Sequence, residues 1–252
     1  MPNWTLGGMA LALFLAALVQ PACTRSVSGE LPPPPPATSA SAEEPASAEP
    51  APATTEEVAV NTQIYRGLKP FRGVQAPEIT QVQKVRFQTG TGELLIEVYP
   101  QAAPHAAARF IDLVKAGFYD DTPIFRIVPG FVAQFGINWR PGQREWKEKN
   151  FDDDPSLFEL GPGTLAFAKA GPNTNSTQVF INYGENSNLR AQNFSTFARV
   201  VQGFEFTQNF KAVGDPSMGL DQGRLWTDGG RYLESLPANQ KPTMIIKAEV
   251  VE

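Results

Sequence analysis

One cysteine and one histidine in 252 residues remove much of the chemistry a chain of this size can carry. Cys23 has no thiol to pair with, so an internal disulfide and a thiolate cluster are excluded; with His105 as the sole imidazole, so are histidine triads and ordinary zinc sites. No metal and no cofactor are expected. Positive charge is also short. With 21 Lys and Arg against 26 Asp and Glu the formal charge is −5 and the pI near 5.1, which argues against nucleic acid as a partner. Neither G-x-x-x-x-G-K-[ST] nor G-x-G-x-x-G occurs, so nucleotide binding has no local support, and no internal repeat is visible.

What is present falls into three parts. The apolar run LGGMALALFLAALV, residues 6–19, has the length of a signal-peptide core and falls short of the roughly 20 residues that a membrane-spanning helix needs. Residues 1–23 contain no Lys or Arg, leaving the α-amino group as the only positive charge ahead of it. Cys23 after Ala22 resembles the acylated cysteine of a bacterial lipoprotein signal, although Gln20 and Pro21 stand where that motif carries a leucine and a small residue. Two outcomes stay open: a membrane anchor through lipidated Cys23, or an ordinary cleaved signal. Either reading sends the chain to the bacterial cell envelope, the periplasm. Residues 24–78 are expected to be a linker, because residues 28–57 are almost wholly Pro, Ala, Ser, Thr and Glu, which build no core and favour an extended spacer of about 3 Å per residue. Residues 79–252 form the expected globular domain.

Within it, VQKVRFQ and ELLIEVYP alternate around the turn-rich TGTG, a hairpin pattern. PHAAARFIDLVKAGFY sets Ala107, Phe110, Ile111 and Val114 at helical spacing, with Pro104 in the first turn and Gly117 at the C-terminal cap. Further strands are predicted over 124–128, 132–135, 164–168, 178–182, 196–201 and 243–251, and a second short helix over 205–212. The fold class is mainly β: a closed eight-stranded antiparallel barrel capped by two α-helices.

IFRIVPGFVAQFG, residues 124–136, carries a guanidinium among apolar neighbours, an arrangement that costs free energy unless something uses it. The segment IFRIVPGFVAQ together with AKAGPNTNSTQVFI, residues 168–181, resembles the paired signature of the cyclophilin family of peptidyl-prolyl isomerases, and the likeness runs from about Val82 to Val251. The final section, with its D-Q-G-R segment and a short extra helical stretch, resembles a bacterial branch of that family.

The resemblance implies that Arg126 is the catalytic donor and that Gln134 holds it and the substrate carbonyl. Phe131, Val132, Phe180 and Leu189 match the proline pocket, Gln178 matches a second pocket glutamine, and Ala168, Lys169 and Ala170 match the edge that aligns with substrate backbone. Lys169 departs from the usual Asn. The family's pocket histidine is missing; Asn193 and Phe194 stand near its place, and Phe194 is the candidate to close the pocket. Asn188 replaces a Trp of many eukaryotic members, which implies weak cyclosporin sensitivity. The implied partners are proline-containing peptides and unfolded exported proteins, met by a monomer. A non-catalytic proline-peptide-binding module or chaperone, tethered in the envelope, is the alternative. Phe197 reads as core, Asp152 to Asp154 as a solvated loop and His105 as a surface side chain.

Overall fold

The computed structural model describes residues 63–252, so the expected signal, Cys23 and the linker as far as residue 62 lie outside the described residues. Eight strands, β1 Gln83–Thr89, β2 Gly92–Val98, β3 Thr122–Val128, β4 Val132–Phe135, β5 Thr164–Phe167, β6 Val179–Asn182, β7 Ala198–Gln202 and β8 Met244–Val251, close into one barrel in the order β1-β2-β7-β5-β6-β4-β3-β8. All pairings are antiparallel. The hairpin turns tightly because Thr89 faces Gly92 and its hydroxyl donates to the Gly92 carbonyl at 2.6 Å.

Helix α1, Pro104–Lys115, buries Phe110 against Phe87, Tyr119 and Phe197, whose ring centres lie 5.1–6.0 Å from its own. Such aromatic contacts add about 0.5–1.5 kcal/mol each to what area burial supplies. Both ends of α1 are closed by specific bonds. At its start Pro104 has no N–H to satisfy, and Asp154 accepts the N–H groups of His105 and Ala106 at 3.1 and 2.8 Å. At its end Gly117 adopts φ +65°, and Gly117 and Phe118 donate to the Val114 and Leu113 carbonyls, the two bonds of a Schellman cap.

Three expectations are corrected here. The linker does not extend to residue 78: Leu68 and Phe71 are buried, Tyr65 meets the ring of Phe158 edge-on at 5.7 Å, and Phe71 donates its N–H to the Leu157 carbonyl. The second capping α-helix is a 3-10 segment, Phe204–Asn209, in which the Thr207 hydroxyl takes the Phe204 carbonyl at 2.7 Å and so competes with backbone bonding. Two short helices, α2 Gln222–Thr227 and α3 Gly230–Ser235, follow it, α2 being capped by Asp221. Nor are Asp152 to Asp154 a solvated loop throughout. Asp154 is 4% exposed and serves α1, while Asp153 is held in an ion pair described below. His105 keeps over half of its side chain in solvent, its ring 3.5 Å from Asp154, and Phe197 is wholly buried.

Candidate active site

Pairing within the barrel assembles the centre. β3 and β4 set Arg126 opposite Gln134, and β6 sets Phe180 on the other side of Gln134. Arg126 is 8% exposed. Its Nε donates to the Ser217 carbonyl at 2.6 Å and its Nη1 to Gln134 Oε1 at 3.0 Å, while Gln134 Nε2 donates onward to Gln178 Oε1 at 2.7 Å. The guanidinium carbon stands 5.9 Å from the centre of the Phe131 ring. Among the described residues no carboxylate pairs with Arg126 and nothing accepts a hydrogen bond from its Nη2. Burial lowers the pKa of the group from its ordinary value, but arginine stays charged at any physiological pH.

Next to this donor lies an apolar surface. Val132, Phe180, Leu189 and Phe194 are buried and Phe131 is half-buried. Phe180 and Phe194 meet edge to face with ring centres 5.7 Å apart. The loop carrying Phe131 is pinned by Tyr183 N–H and by Asn186 Nδ2, which both donate to the Phe131 carbonyl at 2.8 and 3.0 Å. Leu189 sits in the 3-10 segment Ser187–Gln192, whose last turn feeds directly into Phe194, and Asn188 beside it is exposed.

A family model for cyclophilin-type peptidyl-prolyl cis-trans isomerases matches residues 84–221, more than half of the chain. The chain belongs to this family. Prolyl isomerisation is therefore its enzymatic activity. Among curated relatives, the peptidyl-prolyl cis-trans isomerase ppi1 of Schizosaccharomyces pombe is 40% identical over 124 residues, 47% of this chain and 79% of its own length. The isomerase cypE of Dictyostelium discoideum is 34% identical over 136 residues, 52% of this chain and 86% of its own. A crystal structure of a cyclophilin-type isomerase from Cryptosporidium parvum superposes with a TM-score of 0.51 at 24% identity, covering 68% of this chain and 99% of that one, and supports the fold. The same protein was also crystallised in the presence of the dipeptide Ala-Pro.

In this cyclophilin the edge at 168–170 has an unexpected anchor. Ala168 N–H is used by the Gln178 carbonyl at 2.8 Å and Ala170 N–H by the Thr174 hydroxyl at 3.0 Å, whereas the N–H and C=O of Lys169 make no hydrogen bond among the described residues. The Lys169 side chain, 4% exposed, turns inward: Nζ lies 2.6 Å from Asp153 Oδ2, donates to the Asn193 carbonyl at 3.0 Å and stands 5.3 Å from the Phe194 ring centre. Asn175 Nδ2 donates to the other oxygen of Asp153 at 2.7 Å. Burial alone would push the Asp153 carboxyl up. Hydrogen bonds from Lys169 and Asn175, the Lys169 charge and the Asn173 backbone N–H together hold it below its ordinary range. The departure from Asn at 169 thus ties the turn that leads into Phe194 to the edge at 168–170. Neither this pair nor the Ser217 carbonyl is legible in a family motif; the only local signal for the latter is the turn sequence GDPSMG.

Proposed function

We propose that this cyclophilin assists the folding of exported proteins by rotating X-Pro bonds, with Arg126 stabilising the twisted amide. The observation that carries the mechanism is the buried Arg126 guanidinium, anchored through Nε and Nη1, with no carboxylate and no acceptor for Nη2 among the described residues and its carbon 5.9 Å from the centre of the Phe131 ring.

Rotation about an X-Pro bond faces a barrier of about 18–20 kcal/mol and takes tens of seconds without catalysis. Halfway round, the amide has lost its resonance; the prolyl nitrogen becomes pyramidal and regains a lone pair. A cationic N–H aimed at that nitrogen binds the twisted form more strongly than the planar one, which is the condition for lowering the barrier. If one donor supplies about 3–4 kcal/mol, it accounts for roughly 10² to 10³ in rate. Seating the proline ring against Phe131, Val132, Phe180, Leu189 and Phe194 adds to this, because it removes the water that stabilises the charge-separated planar amide. Gln134 and Gln178 fix the guanidinium and offer polar contact to the substrate carbonyl, and the free N–H and C=O of Lys169 align the peptide backbone. No bond breaks, so no base or nucleophile is required.

Export is supported by the apolar run at residues 6–19 and the Pro- and Ala-rich stretch after it; a bacterial origin is supported by the D-Q-G-R segment at 221–224. The clients are then unfolded proteins of the envelope, met by a monomer that is soluble or held by lipidated Cys23. A protease-coupled proline-peptide assay tests the mechanism: Arg126→Ala is expected to lose about 10²-fold or more in kcat/KM, and unaltered turnover would refute the role. No turnover in either protein would favour the peptide-binding alternative. Mass spectrometry of the mature N-terminus separates a lipidated Cys23 from an unmodified start.

A further inference from the structure

We propose that Asp215 is a positioning residue for Arg126: its carboxylate fixes the turn whose Ser217 carbonyl holds the guanidinium. This rests on the reading of Arg126 above.

The turn is bonded on all sides. Asp215 Oδ1 accepts the N–H groups of Ser217 and Met218, both at 2.8 Å, while the backbones of Asp215 and Gly219 exchange two hydrogen bonds of 2.8 Å. Asp is suited to the first position of such a turn because its side chain mimics a backbone acceptor, and Pro216 in the second presets φ and has no N–H to leave unsatisfied. The turn is also pressed onto β3. Leu220 N–H donates to the Phe125 carbonyl at 2.8 Å. Gly219, at φ +72°, comes so near that a Cβ there would stand 2.2 Å from the Phe125 oxygen and 2.6 Å from Arg126 Cα, so no other residue fits.

Peptide planarity then transmits the carboxylate's hold. The Ser217 carbonyl and the Met218 N–H belong to one trans peptide and point in opposite directions. With that N–H fixed on Asp215, the Ser217 oxygen is aimed away from Asp215, and it meets Arg126 Nε at 2.6 Å. Two anchors, at Nε and Nη1, set the plane of the guanidinium and hence the direction of Nη2. With Nη1 alone, the plane can turn about a single bond. Asp215 and Ser217 are exposed, so the device stands outside the core.

The test compares Asp215→Ala, Asp215→Asn and Arg126→Ala. Asp215→Ala is expected to lower kcat by about three- to tenfold with little change in KM, the fold-change that follows from loosening one or two hydrogen bonds. Asp215→Asn, whose amide oxygen can accept the same two N–H groups, should restore the rate. A nitrogen-15 spectrum of the arginine side chains supplies a readout that general destabilisation does not move: the Arg126 Nε–H signal should be protected from exchange in wild type and Asp215→Asn and unprotected in Asp215→Ala. If Arg126→Ala loses turnover while Asp215→Ala keeps both rate and protection, or if Asp215→Asn is as slow as Asp215→Ala, the inference falls alone. If Arg126→Ala keeps its turnover, the reading of Arg126 falls and takes this one with it.

Discussion

Arg126 and Lys169 are both buried cations in segments that the proposed function assigns to the substrate site, and the protein treats them oppositely. Lys169 has Asp153 at 2.6 Å, a carboxylate whose own second oxygen is satisfied by Asn175. Among the described residues Arg126 has only neutral acceptors, the Ser217 carbonyl and Gln134 Oε1, and one nitrogen left over. Pairing repays much of the cost of taking a charge out of water, and a charge so paired is spent on architecture. Neutral acceptors orient a charge without cancelling its field. In the proposed mechanism it is the unpaired cation that responds to a lone pair appearing on the substrate only during rotation.

Substituting each cation by methionine should therefore give crossed outcomes. Arg126→Met is expected to lose roughly 10² to 10³ in kcat/KM with a melting temperature close to wild type, since a buried charge without a counter-ion is removed. Lys169→Met is expected to remain catalytic with a raised KM but to lose about 3 kcal/mol of stability in urea unfolding, because it strands the carboxylate of Asp153. Adding Asp153→Asn to Lys169→Met should recover part of that loss. Equal stability losses at both positions would break the contrast.

The two regions also differ in how much of them can be read from the chain. Arg126 and Gln134 lie eight residues apart on a hairpin, within one continuous motif, so the local pattern suffices. The hairpin β1–β2, the helix with Phe110 and Val114 on its buried face, and the strand positions are legible for the same reason: their periodicity is local. Lys169 reaches Asp153 across 16 residues and Asn193 across 24, and Asp154 caps α1 across 48; no periodicity announces such pairs. Residues 63–78 fail for a related reason. Tyr65, Leu68 and Phe71 recur every third residue, but Gly67, Pro70 and Gly73 break the stretch before a helix or strand pattern can build, and their partners Tyr99, Leu157 and Phe158 lie far along the chain, so it reads as linker until the barrel supplies a surface.

Acidity offers a gentler probe of the same contrast. The folded-state pKa of Asp153 lies below its ordinary value, so its contribution to stability is complete above the unfolded-state pKa of about 3.9 and is lost as pH falls through the lower, folded-state value. The melting temperature of wild type should accordingly fall more steeply below about pH 4 than that of Asp153→Asn. Arg126 touches Gln134, Phe131 and the Ser217 backbone, none of which titrates, so kcat/KM should stay level between about pH 5 and 8 while the fold holds. A histidine-like inflection in that range would show that an imidazole, and hence His105, acts on the reaction after all.

The smallest effect expected tests what Lys169 is holding in place. Phe194 stands edge-on to Phe180 and lies beneath the Lys169 ammonium, and in the proposed function its ring forms one wall of the surface offered to proline. Phe194→Leu keeps an apolar side chain of similar reach but removes the aromatic face that a bound proline ring would meet, a contact worth about 0.5–1.5 kcal/mol. Because that wall contacts the planar and twisted amides alike, the loss belongs to uniform binding: KM should rise about two- to tenfold while kcat scarcely changes. A fall in kcat of the same size, with KM steady, would mean that Phe194 acts on the rotating bond, and the division between an aromatic wall that binds and a free guanidinium that accelerates would have to be redrawn.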